Sequence, residues 1–173
     1  ARHYGIPNVL GSDFRRVSLA EDSPRRGLLG QGSILTQTSH AIRTSPVFRG
    51  KWILQTLIGV PPPEPPANVP PLEEKKTTGA RALSMRERMA EHRANPVCAG
   101  CHSMIEPLGF ALENFDPVGK WRTMDDTYTP VDSSGMLPDG TRFDDLRGFR
   151  AALTRHPERL AIGVTTRMLT YAV

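Results

Sequence analysis

The two cysteines of the chain stand together in Cys98-Ala99-Gly100-Cys101-His102. Two thiols separated by two residues and followed at once by an imidazole form the pattern of c-type haem attachment. Each residue has its own task. The thiols at 98 and 101 add across porphyrin vinyl groups as thioethers, and His102 donates a ring nitrogen to the iron as proximal ligand. A redox dithiol would require a strand before the first cysteine and a helix N-terminus at it. Here a helix candidate ends just ahead of the motif, and no strand pattern precedes it. A zinc site needs further ligands, and His3, His40, His92 and His156 are scattered without ligand spacing. The motif therefore points to one covalently attached haem c, whose attachment consumes both thiols and leaves none for a disulfide.

A ligating histidine gives its second ring N–H to a fixed acceptor. Pro107, in Glu106-Pro107-Leu108-Gly109, is the candidate, because proline breaks a helix and frees a carbonyl nearby; the alternative is a plain helix-stopping turn. A soft thioether in the sixth position would favour electron transfer. Met104 is too close to His102 to reach the opposite face, Met85 and Met89 lie in a leading helix, and Met168 sits in the last helix, where packing is the commoner use. Met136, in the turn-flanked Ser133-Ser134-Gly135-Met136-Leu137-Pro138, is the expected distal ligand. Met124 and an open iron remain as alternatives. Trp121 and Arg122 combine an indole donor with a guanidinium suited to a haem propionate. They read equally as a core tryptophan beside a surface arginine.

These residues need elements to position them. Of 173 residues, 38% are apolar and only 6% aromatic, with sixteen prolines and fifteen glycines. Such a chain predicts long loops and a core that a large apolar cofactor would complete. Residues 61–71 contain seven prolines in eleven, a polyproline strap that lies on the protein's own surface, followed by a polar stretch to residue 82. This strap divides the sequence into a loop-rich module at 1–60, a linker at 61–82 and a haem domain at 83–173. In the first module, Pro46 opens a helix over 45–58 in which Val47, Ile53, Leu54, Leu57 and Ile58 share a face. Ser84-Met85-Arg86-Glu87 fits a capping box for a helix that Asn95-Pro96 stops. Further helices are expected near 144–156 and from Pro157, the latter with Leu160, Ala161, Val164, Met168 and Leu169 on its apolar side. Residues 110–142 read as loop. The fold class is mainly α, a small cytochrome c-like helical domain with a loop-rich N-terminal segment.

The formal charge is +4, with 22 Lys and Arg against 18 Asp and Glu, and the pI is near 9.4. The basic residues alternate with acidic ones along the chain, which describes a solvated mixed surface and argues against nucleic acid as a partner. No apolar run approaches the ~20 residues of a membrane span. The sequence opens without an initiator Met or an apolar leader, as a processed or truncated piece of something longer would. Attachment of haem c requires export, so the periplasm or the cell surface is the expected location.

Longer stretches carry a resemblance: residues 95–102, the run Glu106-Pro107-Leu108-Gly109-Phe110-Ala111-Leu112-Glu113-Asn114-Phe115-Asp116, and Gly119-Lys120-Trp121-Arg122. Thr44-Ser45-Pro46-Val47-Phe48-Arg49-Gly50-Lys51-Trp52 before the strap, Leu137-Pro138-Asp139-Gly140-Thr141 and Leu169-Thr170-Tyr171-Ala172 agree with it. Together they resemble the C-terminal region of the large planctomycete-type cytochrome c-like proteins, whose other domains have no known function. The resemblance implies an exported haem protein, longer at its N-terminus. In that family the position of Met136 need not be methionine.

Three functions fit. The first is a mono-haem module relaying single electrons between redox proteins or subunits of a larger complex. The second is a peroxidase- or oxygenase-type enzyme with an open sixth position, for which His40 and Arg43 are the available polar pair. The third is an assembly module in which haem staples a small core while the Pro-rich first half folds onto partners.

Overall fold

The structure, a computed structural model, describes residues 1–65, 77–78, 81–82 and 83–172. It is mainly helical. Residues before Leu28 run as turns and extended chain, and a 3-10 turn at Leu28–Gly30 leads into α1 (Gly32–Gln37). Next comes α2 (Pro46–Trp52), started by Ser45, whose hydroxyl accepts the Phe48 N–H at 3.2 Å, with Pro46 at the first helical position. The chain stays helical beyond Trp52 but widens to π-type winding over Ile53–Ile58. Gly59 then turns left-handed at φ 78°, and the Val60 N–H closes back on the Leu54 carbonyl at 2.9 Å. Ile53, Leu54 and Leu57 are buried, with Val47 and Ile58 partly so, which is the face the apolar pattern predicts.

Only the start of the polyproline strap, through Pro65, is described; residues 66–71 and most of the polar stretch after them lie outside the described residues. Within that stretch, β1 (Thr77–Thr78) pairs antiparallel with β2 (Arg81–Ala82). The predicted capping box is present at α3 (Met85–Arg93): the Glu87 N–H reaches the Ser84 hydroxyl, and the Ser84 N–H reaches the Glu87 carboxylate at 2.8 Å. A second helix, α4 (Pro96–Phe110), begins at once, capped by Asn95 with Pro96 as its first residue.

Pro107 was expected to break the helix, yet α4 runs through it. The amide that proline lacks would have bonded the Ser103 carbonyl one turn earlier. Ser103 is exposed, so water can satisfy that carbonyl. The stretch after α4 is loop as expected, apart from a short hairpin of β3 (Gly135–Met136) with β4 (Arg142–Phe143). Asp145 caps α5 (Leu146–Leu153), and α6 (Pro157–Ala172) ends the described chain. Among the described residues, no helix is long and apolar enough to cross a membrane.

One core draws on both sides of the strap. It joins Leu29, Leu35, Ile53, Leu54 and Leu57 to Ile105, Leu108, Leu112 and Phe115, and on to Phe143, Leu146, Phe149 and Leu153. The compositional boundary in the sequence therefore does not divide the core. Its centre is the crossing of α2 over α4, made possible by two glycines. A Cβ on Gly50 would overlap the Ile105 carbonyl oxygen, and one on Gly109 would overlap the Pro46 carbonyl oxygen.

The rotation of α6 differs from the expectation. Gly163 lies against the Thr56 and Leu57 carbonyls, and Leu160 and Val164 flank it, partly buried. That close approach turns Met168 and Leu169 outward, where they are 67% and 61% exposed.

Candidate functional site

The cysteine motif occupies the first two turns of α4. Residues three and four apart share a helix face, so Cys98, Cys101 and His102 present one face together. Both thiols are free and partly exposed, and Cys101 also touches the core. Gly100 between them has open space where a side chain would stand.

His102 is held firmly. Its Nδ1 lies 2.6 Å from Oε1 of Glu106, one turn along the same helix. With the carboxylate as acceptor the bond is donated from Nδ1, which leaves Nε2 as the ring nitrogen turned away from Glu106. Glu106 is completely buried. Its other oxygen, Oε2, faces Nε of Arg93 at 3.1 Å, and that charged contact stands in for a hydrogen bond that Oε2 otherwise lacks. The ring of His92 meets His102 edge to face at 4.8 Å. Both His92 and Arg93 come from the last turn of α3, so the sharp α3–α4 turn at Asn95-Pro96 delivers a cation and a ring to the histidine of the motif.

The acceptor expected from Pro107 is thus Glu106 in this structure. Because the helix continues through residue 107, the Pro107 carbonyl stays in the helical ladder and accepts the Ala111 N–H at 3.4 Å. Glu106 was legible in principle: a carboxylate four residues after a helical histidine stacks directly on it.

The methionines separate by environment. Met85 and Met89 are buried against Phe110 between α3 and α4, Met104 lies against the core, and Met168 is on the outer surface of α6. Met124 is half exposed in the loop beside Pro130. Met136, 46% exposed, is on β3, which lies on α4 close enough that a Cβ on Gly135 would come 2.8 Å from the Pro107 carbonyl oxygen. Arg86 of α3 fastens the approach to this strand. It donates to the carbonyls of Asp132 and Ser134 at 2.8 and 2.7 Å, and its guanidinium lies over the Phe110 ring at 4.2 Å.

Trp121 and Arg122 are not brought to the motif. His102 and Phe110 are eight residues, ~12 Å of helix, apart, and Arg122 binds beyond that far end. It pairs with Glu113 and Asp126 and donates to the Glu113 carbonyl, while Trp121 meets Phe115 edge to face. At the same end Arg49 of α2 is fully buried. It donates to the carbonyls of Leu112, Phe115 and Asp116 and to the Glu113 carboxylate, which also accepts from Thr44. Burial pushes the Glu113 carboxyl upward against the opposing pull of Arg49, Thr44 and Arg122. This clamp locks the first half of the chain to the end of α4. The segment carrying His40 and Arg43 joins it, with Ser39 accepting from Arg49, which puts that pair at the far end of α4 from His102.

Compared with known proteins, residues 25–125 match the model of one family, PSCyt3, described as a protein of unknown function (DUF1588). No curated protein matches the chain, and no solved structure does. The matched stretch contains α2, α3, α4, the cysteine motif and every residue of the Arg49 clamp.

Proposed function

The chain belongs to the PSCyt3 family, a planctomycete cytochrome-like domain family, and on that premise we propose that it is an exported mono-haem c-type module that relays single electrons. The observation that carries this reading is the donor set on α4. Two free thiols and an imidazole share one helix face, and the imidazole is fixed by its Nδ1 contact with Glu106, with Nε2 making no hydrogen bond among the described residues. Two thiols for thioether bonds and an imidazole nitrogen for the iron fit the donor set of a covalently held haem, and this supports the reading.

In this reading Cys98 and Cys101 hold the porphyrin through thioethers and His102 is the proximal ligand. Once bound, the haem supplies one-electron oxidation and reduction of its iron. The remaining work belongs to the chain. Glu106 holds the His102 ring in place, the apolar group of Met85, Met89 and Phe110 keeps the α3–α4 junction closed, and Arg86 tethers the strand that bears Met136. Met136 is the thioether proposed for the sixth position, because the other methionines are locked in a core, remote in the 124–130 loop, or outward on α6. The partners are redox proteins or other subunits of a larger complex, and the location is the periplasm or the cell surface. The enzyme reading gains nothing here, since His40 and Arg43 stand at the wrong end of α4.

The test is the alkaline pyridine spectrum of the chain produced by an exporting host that attaches haem c. The native chain is expected to give the spectrum of a haem joined by two thioethers, and Cys98→Ser or Cys101→Ser that of a single thioether. A native chain that gives no haem spectrum would end the proposal.

A further inference from the structure

We infer that Glu106, working against Arg93, sets the donor strength of His102 and thereby the reduction potential of the site; the inference rests on the haem reading above. A neutral backbone carbonyl opposite Nδ1 would orient the ring and raise its basicity less than an anion does. Glu106 is different in kind, because it is an anionic acceptor in a fully buried position at 2.6 Å. A hydrogen bond to an ionised, desolvated carboxylate is among the short, strong ones. It draws the Nδ1 proton away and makes Nε2 a stronger donor. A stronger anionic donor favours the more positive iron, so the ferric state gains and the potential falls.

Arg93 supplies the opposing control. Its Nε sits 3.1 Å from the other oxygen of the same carboxylate, and its side chain is about a third exposed while Glu106 is wholly buried. The cation withdraws part of the charge that Glu106 would otherwise lend to His102. The three groups form a line, from Arg93 at the end of α3 through Glu106 to His102, in which charge at one end is felt at the other. Glu106 is a positioning residue in this scheme, acting on the iron only through His102.

The experiment uses the full haem-loaded chain and two readouts, the midpoint potential and, with each variant also carried in a Met136→Ala background so that the ferrous iron lacks its sixth ligand, the iron–imidazole stretching frequency by resonance Raman. In Glu106→Gln the neutral amide keeps the shape and loses the charge. The ferric-to-ferrous ratio at a fixed poise is expected to fall about tenfold, a rise of about 59 mV for a one-electron couple, with the stretching frequency lowered. Glu106→Asp is expected to recover part of both changes. Arg93→Met is expected to move both readouts the opposite way. A potential that rises in Glu106→Gln with an unchanged stretching frequency would show a charge acting through space, and would overturn the inference. If Glu106→Gln takes up no haem, Arg93→Met decides: unchanged potential and frequency overturn the inference. Loss of the haem reading is recognised separately, because the native chain would then carry no haem; a native chain with haem and insensitive variants removes the Glu106 role alone.

Discussion

Arg49→Met tests whether the buried clamp holds the halves of the chain together. The native guanidinium is fully buried, donates to three backbone carbonyls at 2.7 to 3.0 Å, and lies 3.3 Å from the Glu113 carboxylate. Methionine fills much of the volume but leaves those carbonyls short of a donor and Glu113 with only Arg122 and Thr44. Removing one partner of a buried ion pair costs about 3–5 kcal/mol, against the roughly 5–15 kcal/mol that holds an ordinary domain together. With a urea slope near 2 kcal/mol per molar, the unfolding midpoint is expected to fall by about 2 M at unchanged slope. The penalty also has a pH signature. Burial already raises the Glu113 carboxyl, and Arg49 is the strongest group opposing it; without Arg49 the folded-state value rises further. A carboxyl raised on folding contributes stability that is present below its unfolded value and lost as pH rises through its folded one. The Arg49→Met defect is therefore expected to be smallest in acid and largest near neutrality. The cycle with Glu113→Gln should give a coupling of about 1–3 kcal/mol. A cost below about 1 kcal/mol at neutral pH, or no coupling, would refute the clamp.

Gly109→Ala should destabilise the chain by about 1–3 kcal/mol or more in the same urea titration, because its methyl group has no room beside the Pro46 carbonyl; Gly100→Ala, which meets nothing, serves as the control and should leave stability near that of the native chain. Met136→Ala should abolish the near-infrared methionine-to-iron band of the ferric haem-loaded protein, and persistence of that band would assign the sixth ligand elsewhere. Asp132 pairs with Arg86; burial opposes its ionisation, but the Ser134 hydrogen bonds and Arg86 outweigh this and hold its carboxyl below its ordinary value. A carboxyl lowered on folding lends stability above its unfolded value and loses it as pH falls. The protection factors of the amides across residues 132–136, which remove the intrinsic pH dependence of exchange, should therefore fall in acid, and Asp132→Asn should flatten that dependence.

What the sequence made legible was local. The cysteine motif, the helix start at Pro46, the cap at Ser84 and the break at Asn95-Pro96 each depend on a few neighbouring residues, and each stands where the pattern put it. Pro107 misleads because a missing amide breaks a helix only where the carbonyl it leaves is shut off from water, and Ser103 is exposed. The α6 face misled in a related way: counting apolar residues put Met168 and Leu169 inward, whereas the helix is rotated by the backbone contact of Gly163 on residues 56–57. Arg49 looks in the sequence like any surface arginine between Phe48 and Gly50. Apart from Ser39, its partners lie more than sixty residues away, so nothing in its immediate neighbourhood shows that it is buried. Glu106 is within reach of helical spacing where residues 98–106 are helix, and a proline at 107 is the local signal that argues against that helix.

The most direct measurement is the intact mass of the full chain, produced with haem c attachment and denatured in acid so that any loosely held haem is lost, together with the mass of the peptide spanning residues 98–102. If Cys98 and Cys101 hold one haem, both masses rise by that of a single haem and neither thiol reacts with an alkylating reagent. A chain at its bare polypeptide mass, with both thiols open to alkylation, would contradict the assignment on which the function rests.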